Sequence, residues 1–192
     1  MGETRALAEA MIFASDGVPI HGIAETLERF GDGALRLARD FATRVIPMRR
    51  DQRYGDASPA LRRLGIDVDA WPAPPAGLFV VEERTVYLRS RSAMTVAHEF
   101  GHALDCALGR GVYRSGIDPV LRRAFMNARA FVTPYAASGI DEYFAEGLRA
   151  YVEANDRTSH WPRATKARLR TVDPALYEYV ERLFRVEFRS AA

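Results

Sequence analysis

Residues 95–105 read TVAHEFGHALD, and the reading of the whole chain turns on them. They contain His98-Glu99-Phe100-Gly101-His102, an H-E-x-x-H pattern. Residues four apart on a helix differ by about 40° around its axis. His98 and His102 therefore share a face, one turn apart, and can grip a single ion. Glu99 is offset from them and can reach a water on that ion. Two histidines with an intervening glutamate at this spacing are the ligand pair and general base of a zinc protease site.

A chance H-E-x-x-H in a chain of this composition is roughly a one-in-a-few-hundred event, so its setting matters. Met94, Ala97, Gly101, Leu104 and Leu108 form one apolar row, and Val96, Phe100, Ala103 and Ala107 form another. That pattern predicts a helix buried over most of its circumference. The remaining stripe is Thr95, His98, Glu99, His102 and Asp105. Burying two imidazoles and a carboxylate without partners costs several kcal/mol, which a bound metal would offset. The competing reading is a pair of hydrogen-bonded core histidines beside a solvated glutamate.

Working outward, Ser92 is placed to cap the start of this helix, and Gly109-Arg110-Gly111 to stop it. Before it, residues 78–81 and 85–89 flank the polar Glu82-Glu83-Arg84, which predicts a hairpin. Residues 44–48 (RVIPM) predict a short strand, with Pro47 putting its end at an edge. Residues 3–14, 21–30 and 33–42 predict three amphipathic helices. Ser58-Pro59 opens a short helix ending near Gly65. Trp71-Pro72-Ala73-Pro74-Pro75 reads as a stiff extended connector. After the motif, Asp118-Pro119 opens a helix to about Phe131. Residues 133–139 form a loop, 141–152 a helix, 155–172 a polar irregular stretch, and 174–188 a last helix.

The chain has 192 residues, 48% apolar and 27% charged, which suits one globular domain with a sizeable core. Within it we expect a helical part (1–43), a small sheet with the motif helix (44–109), and a helical part bearing a third ligand (110–192). The net charge of +2, with acids and bases interspersed, gives no argument for a nucleic-acid partner. The only lysine is Lys166. Cys106 is the only cysteine, so no internal disulfide is possible, and it reads as a packed thiol. His21 reads as a surface or capping residue. No apolar run reaches membrane-spanning length, and the first residues lack the pattern of a secretory signal. A cytoplasmic protein, export by a non-classical route, or a leader already removed are the expectations.

A catalytic zinc takes three protein ligands and leaves a fourth place for water. His98 and His102 supply two. His160 stands in an irregular stretch whose neighbours fix no direction. Glu142 and Glu146 lie four apart on a predicted helix and share a face. Glu142, Glu146, Arg149 and Glu153 also have the spacing of a solvated face with ion pairs one turn apart. Periodicity favours that solvated face and cannot choose between water and a metal.

The set of residues 98–105, Tyr135 and Glu142-Tyr143-Phe144-Ala145-Glu146 resembles the catalytic domain of the anthrax lethal factor family of metallopeptidases. That family includes small secreted Pro-Pro endopeptidases. Its pattern is an H-E-x-x-H helix, then a tyrosine, then a glutamate seven residues later opening an E-[FY]-F-A-E run. The overlap covers roughly residues 78–152 and more loosely the final helix; residues 1–76 show no clear match. The resemblance implies an α+β, zincin-like fold of the gluzincin type, mostly helical, with a small mixed sheet packed on the motif helix. It implies Zn2+ held by His98, His102 and Glu142, with Glu99 as general base. Tyr135 would donate a hydrogen bond to the oxyanion, and Glu146 would orient a ligand histidine. The function expected is then a zinc endopeptidase acting on a peptide or protein, laid along residues 85–89 if that strand is a sheet edge. The alternatives are a non-catalytic zinc-binding interaction module, a toxin or effector protease with a narrow substrate, or a hydrolase of a non-peptide amide.

Overall fold

The motif stretch forms the helix around which the molecule is packed. A computed structural model describes residues 2–159 and 163–190. The motif helix, α6, spans Ala93–Leu108, and every residue from Thr95 to Ala107 is buried. Ser92 caps it as expected, its Oγ accepting the Thr95 N–H at 3.2 Å. Asp156 accepts the neighbouring Met94 N–H at 3.0 Å, so two of the four orphan amides of that end are satisfied by side chains.

Helices surround α6. Before it come α1 (Glu3–Ala10), α2 (His21–Glu28), α3 (Gly31–Asp40), α4 (Tyr54–Ala57) and α5 (Pro59–Leu64). After it come α7 (Arg114–Ile117), α8 (Pro119–Asn127), α9 (Ile140–Tyr151), α10 (Lys166–Val172) and α11 (Pro174–Arg182). A π-helical turn, Leu183–Glu187, and a final turn, Phe188–Ser190, follow α11. The main core joins α1, α2, α3, α6, α9 and α11 through residues such as Leu27, Leu35, Phe100, Phe144 and Val180. Phe30 packs edge-on against Phe100, ring centroids 5.0 Å apart.

Three short strands complete the fold: β1 (Arg44–Pro47), β2 (Gly77–Val80) and β3 (Thr85–Leu88). Their order is β1-β3-β2. β2 and β3 form the expected antiparallel hairpin, Phe79 opposite Val86, and β1 runs parallel to β3 with Val45 opposite Val86. The sheet is therefore mixed, and it packs on α6. A second apolar cluster, including Met48, Tyr54, Leu61, Val68 and Tyr87, is formed with α4, α5 and the turn that follows them.

Four sequence expectations change. The strand at 85–89 is interior rather than an edge, because β1 pairs with it on one side and β2 on the other. The first helix ends at Ala10 rather than 14. There the chain turns extended: Val45 N–H donates to Met11 O, and Phe13 N–H to Val45 O, each at 2.8 Å. The stretch 155–172 is not wholly irregular, since Thr165 caps α10 and Leu169 is buried beneath it. The helix begun at Pro119 stops at Asn127, four residues short of Phe131.

Candidate metal centre

Glycine and alanine set the geometry. Gly101, inside the H-E-x-x-H run, faces Ala145 on α9. A Cβ on Gly101 would lie 3.1 Å from the Ala145 Cα. That close crossing brings the residues on either side of Ala145 over the two histidines.

The outcome is a triangle of ligand-type atoms. His98 Nε2 and His102 Nε2 lie 3.1 Å apart. Glu142 Oε2 lies 2.9 Å from the first and 3.3 Å from the second. A tetrahedral zinc bound at ~2.0–2.1 Å holds its ligand atoms roughly 3.3 Å apart, close to what is seen. Despite these short distances, Glu142 Oε2 is buried with no well-formed hydrogen bond among the described residues, and so is His102 Nδ1. The three ligand atoms lie close enough together to share one ion. Among the described residues this is the one cluster of three His, Cys, Asp or Glu side chains suited to a metal ion.

Behind the triangle, His98 Nδ1 lies 2.9 Å from Glu146 Oε1. With Nδ1 donating there, Nε2 keeps its lone pair for the ion. Glu146 is only 3% exposed, accepts from the Thr133 hydroxyl, and meets the Arg149 guanidinium through two bonds of 2.7 Å. Burial works against the Glu146 carboxylate, yet His98 and Arg149 hold it down at about 2. Burial likewise works against a charged His98, but the nearby carboxylates of Glu142 and Glu146 raise it to about 10. The same imidazoles hold Glu142 well below the usual carboxylate range, again in spite of burial.

Glu99, on α6 and 8% exposed, lies against Gly77 of β2 and lines the same cleft as His98. Burial pushes its carboxyl up; the two histidines and a hydrogen bond from the Phe79 backbone draw it back part of the way. Tyr135, in the turn Tyr135–Ala137 just before α9, is 45% exposed. Its hydroxyl donates to Glu142 Oε1 at 3.1 Å, and its ring centroid is 5.3 Å from that of His98. A cleft of about 240 Å³ opens here, lined by Pro75, Gly77, Met94, Glu99 and Tyr135 among others.

His98, Glu99, His102, Tyr135, Glu142 and Glu146 are thus brought together. The solvated-face alternative for α9 does not hold: Glu146 and Arg149 are buried, Glu142 is largely so, and only Glu153, beyond the helix end, is exposed. His160 lies outside the described residues. His21 is on the surface, paired with Arg5 and Glu25. Cys106 is a buried thiol pushed up to about 11 by burial, as a packed residue should be. Sequence reasoning missed Arg149, Thr133 and Gly77. For Arg149 the available signal, its i,i+3 spacing from Glu146, pointed toward solvent instead.

No protein-family model and no curated protein sequence matches this chain. A solved structure does: that of the Pro-Pro endopeptidase PPEP-2 from Paenibacillus alvei, with a TM-score of 0.66 and 20% sequence identity. The likeness covers 92% of this chain and 99% of that one, so it extends well into residues 1–76, where the sequence shows no clear match to the family. At that identity the likeness establishes the fold: a mostly helical α+β architecture with a small mixed sheet, shared with a peptidase.

Proposed function

We propose that this chain is a zinc-dependent endopeptidase. The observation that carries the reading is the convergence of His98 Nε2, His102 Nε2 and Glu142 Oε2 on one point, with Glu99 beside it. The donor set, two imidazoles and a carboxylate, is one that catalytic zinc takes. When bound, the ion supplies Lewis acidity, bringing a water toward a pKa of about 7 and polarising a carbonyl.

The protein's own groups do the rest. Glu99 takes the proton of the attacking water and delivers it to the leaving nitrogen. A carboxyl whose pKa is raised by burial is the better base for that task near neutrality. Tyr135 offers its hydroxyl to the oxyanion, a contribution typically worth about 3 kcal/mol of barrier. Glu146 keeps His98 in the tautomer that leaves Nε2 free.

The peptide docks along β2 rather than β3. β2 is the outer strand of the three on the cleft side, and its start, with Pro75 and Ala76, forms one wall of the cleft. An extended segment can add to it through main-chain hydrogen bonds. A purely structural zinc site needs neither a buried glutamate beside the ligands nor a tyrosine at the cleft mouth, which favours catalysis over an interaction module.

The test is cleavage of a mixed peptide library, with Pro-Pro sequences included because the structural neighbour is a Pro-Pro endopeptidase. Cleavage that a chelator stops and zinc restores is the result expected. A zinc-loaded protein that cuts no peptide in the library refutes the reading.

A further inference from the structure

We infer that Arg149 is a positioning residue of the metal centre, acting through Glu146 on His98; this rests on the zinc reading above. Arg149 is 1% exposed and sits one turn beyond Glu146 on α9. An arginine placed at i,i+3 to a glutamate ordinarily lies on a wet helix face and contributes little. This one is buried, and a buried ion pair is weak grounds for stability, because desolvating both charges offsets most of their attraction. Its contacts point to a different use.

The guanidinium meets the carboxylate as a fork. Nε donates to Glu146 Oε1 and Nη2 to Oε2, both at 2.7 Å. Oε1 also faces His98 Nδ1 at 2.9 Å, and Oε2 accepts from Thr133 Oγ1. Four hydrogen bonds from three residues therefore fix the plane of the carboxylate, and with it the direction of the His98 ring. The far side of the guanidinium is anchored beyond the helix. Nη1 donates to Ala154 O at 3.0 Å and to Asn155 Oδ1 at 3.3 Å. Asn155 is itself clamped on Ala164, accepting its N–H at 2.9 Å and donating to its carbonyl at 2.8 Å. A chain of directed bonds thus runs from a backbone anchor outside α9 to the ring that presents His98 Nε2. Lysine could supply the charge but not the planar fork.

Zinc affinity, measured by chelator competition, tests this. The proteins compared are the unsubstituted chain, Arg149→Met, Arg149→Lys and, as a control, Leu35→Ala, at a temperature where circular dichroism shows each folded. Leu35 is a fully buried residue of α3, remote in the chain from these contacts. Loss of such an outer partner typically weakens metal binding about 10- to 100-fold. Arg149→Met is expected to show a loss in that range, Arg149→Lys a smaller loss, and Leu35→Ala affinity near that of the unsubstituted chain. Where peptide cleavage is followed at saturating zinc, kcat falls and KM stays.

Three results overturn the inference: Arg149→Met binding zinc as tightly as the unsubstituted chain, Arg149→Lys doing so, or Leu35→Ala losing as much as Arg149→Met. If Arg149→Met fails to fold, Arg149→Lys against Leu35→Ala decides. An unsubstituted chain that binds no zinc sinks the proposed function as well. Tight zinc binding by both it and Arg149→Met sinks this inference alone.

Discussion

Gly77 of β2 lies against Glu99 of α6 so closely that a Cβ at Gly77 would stand 2.5 Å from Glu99 Cγ and 2.8 Å from Thr95 Cγ2. The strand that forms one wall of the cleft is thus in direct contact with the carboxylate assigned as base. Gly77→Ala must push either the strand or Glu99 aside. The expectation is a fall in kcat of tenfold or more with zinc content unchanged, and destabilisation of about 1–3 kcal/mol from overpacking. Cleavage kinetics beside metal analysis checks this; full activity in Gly77→Ala would mean that the contact does not position the base.

Glu99→Gln keeps the shape of the side chain and removes its basicity. Zinc should stay bound, since Glu99 is not one of the converging ligands, while hydrolysis drops by about 100- to 10,000-fold. Elemental analysis paired with peptide cleavage reads both halves. Activity near that of the unsubstituted chain would remove Glu99 from its assigned role.

Glu142→Ala deletes the third corner of the triangle. Two histidines on one turn are left, and a two-ligand site holds zinc far less tightly than a three-ligand one. The protein purified after zinc addition and desalting should carry little metal. Stoichiometric zinc in that variant would place the third ligand elsewhere.

How far the chain could be read in advance depended on the kind of signal. The motif helix was legible because its apolar rows run almost all the way round, which only burial explains, and because Ser92 marks its start. The hairpin was legible from β-branched residues either side of a polar turn. The order of the strands was not: nothing in residues 44–48 tells that they pair alongside Thr85 rather than beyond Gly77, since that pairing is settled by where residues 11–13 and α6 pack. Arg149 was misread for a physical reason. A charged residue one turn from an acid has the same spacing in water as in a core, and what buries it is Gly101 letting α9 approach α6. Glu142 was readable only through resemblance, because periodicity assigns a face and not its neighbour.

Zinc binding should release a proton. In the metal-free protein Glu142 and Glu146 keep His98 protonated up to about 10, against the pull of burial. Nε2 must lose that proton to ligate, so below about pH 10 apparent affinity falls as pH falls, by about tenfold per unit for one proton. Glu142 and Glu146 are held low and stay ionised through this range, so they add no proton of their own near neutrality. Calorimetric titration in two buffers of different ionisation enthalpy, together with chelator competition between about pH 6 and 8, measures the release. Affinity independent of pH over that interval would show that His98 is already neutral before the metal arrives.

Asp105 gives a pH effect of opposite origin, at the end of α6 rather than at the ligands. It is fully buried and accepts from both the Ser115 N–H, at 2.8 Å, and the Ser115 hydroxyl, which ties α6 to α7. Burial outweighs those two bonds and pushes the carboxyl up to about 6. An unfolded aspartate titrates near 3.9. Between these values the folded chain holds a proton that the unfolded chain has released. The contribution of Asp105 to stability is therefore full below about pH 4 and is lost as pH rises through about 6. Asparagine cannot ionise, and its Oδ1 can accept the Ser115 N–H while its Nδ2 donates to the Ser115 oxygen. Asp105→Asn should thus gain on the unsubstituted chain as pH climbs from about 4 to 6, and the gap should then stay constant. Urea midpoints taken across that interval give the difference directly. A gap that does not change with pH would mean that Asp105 ionises in the folded chain as freely as in the unfolded one.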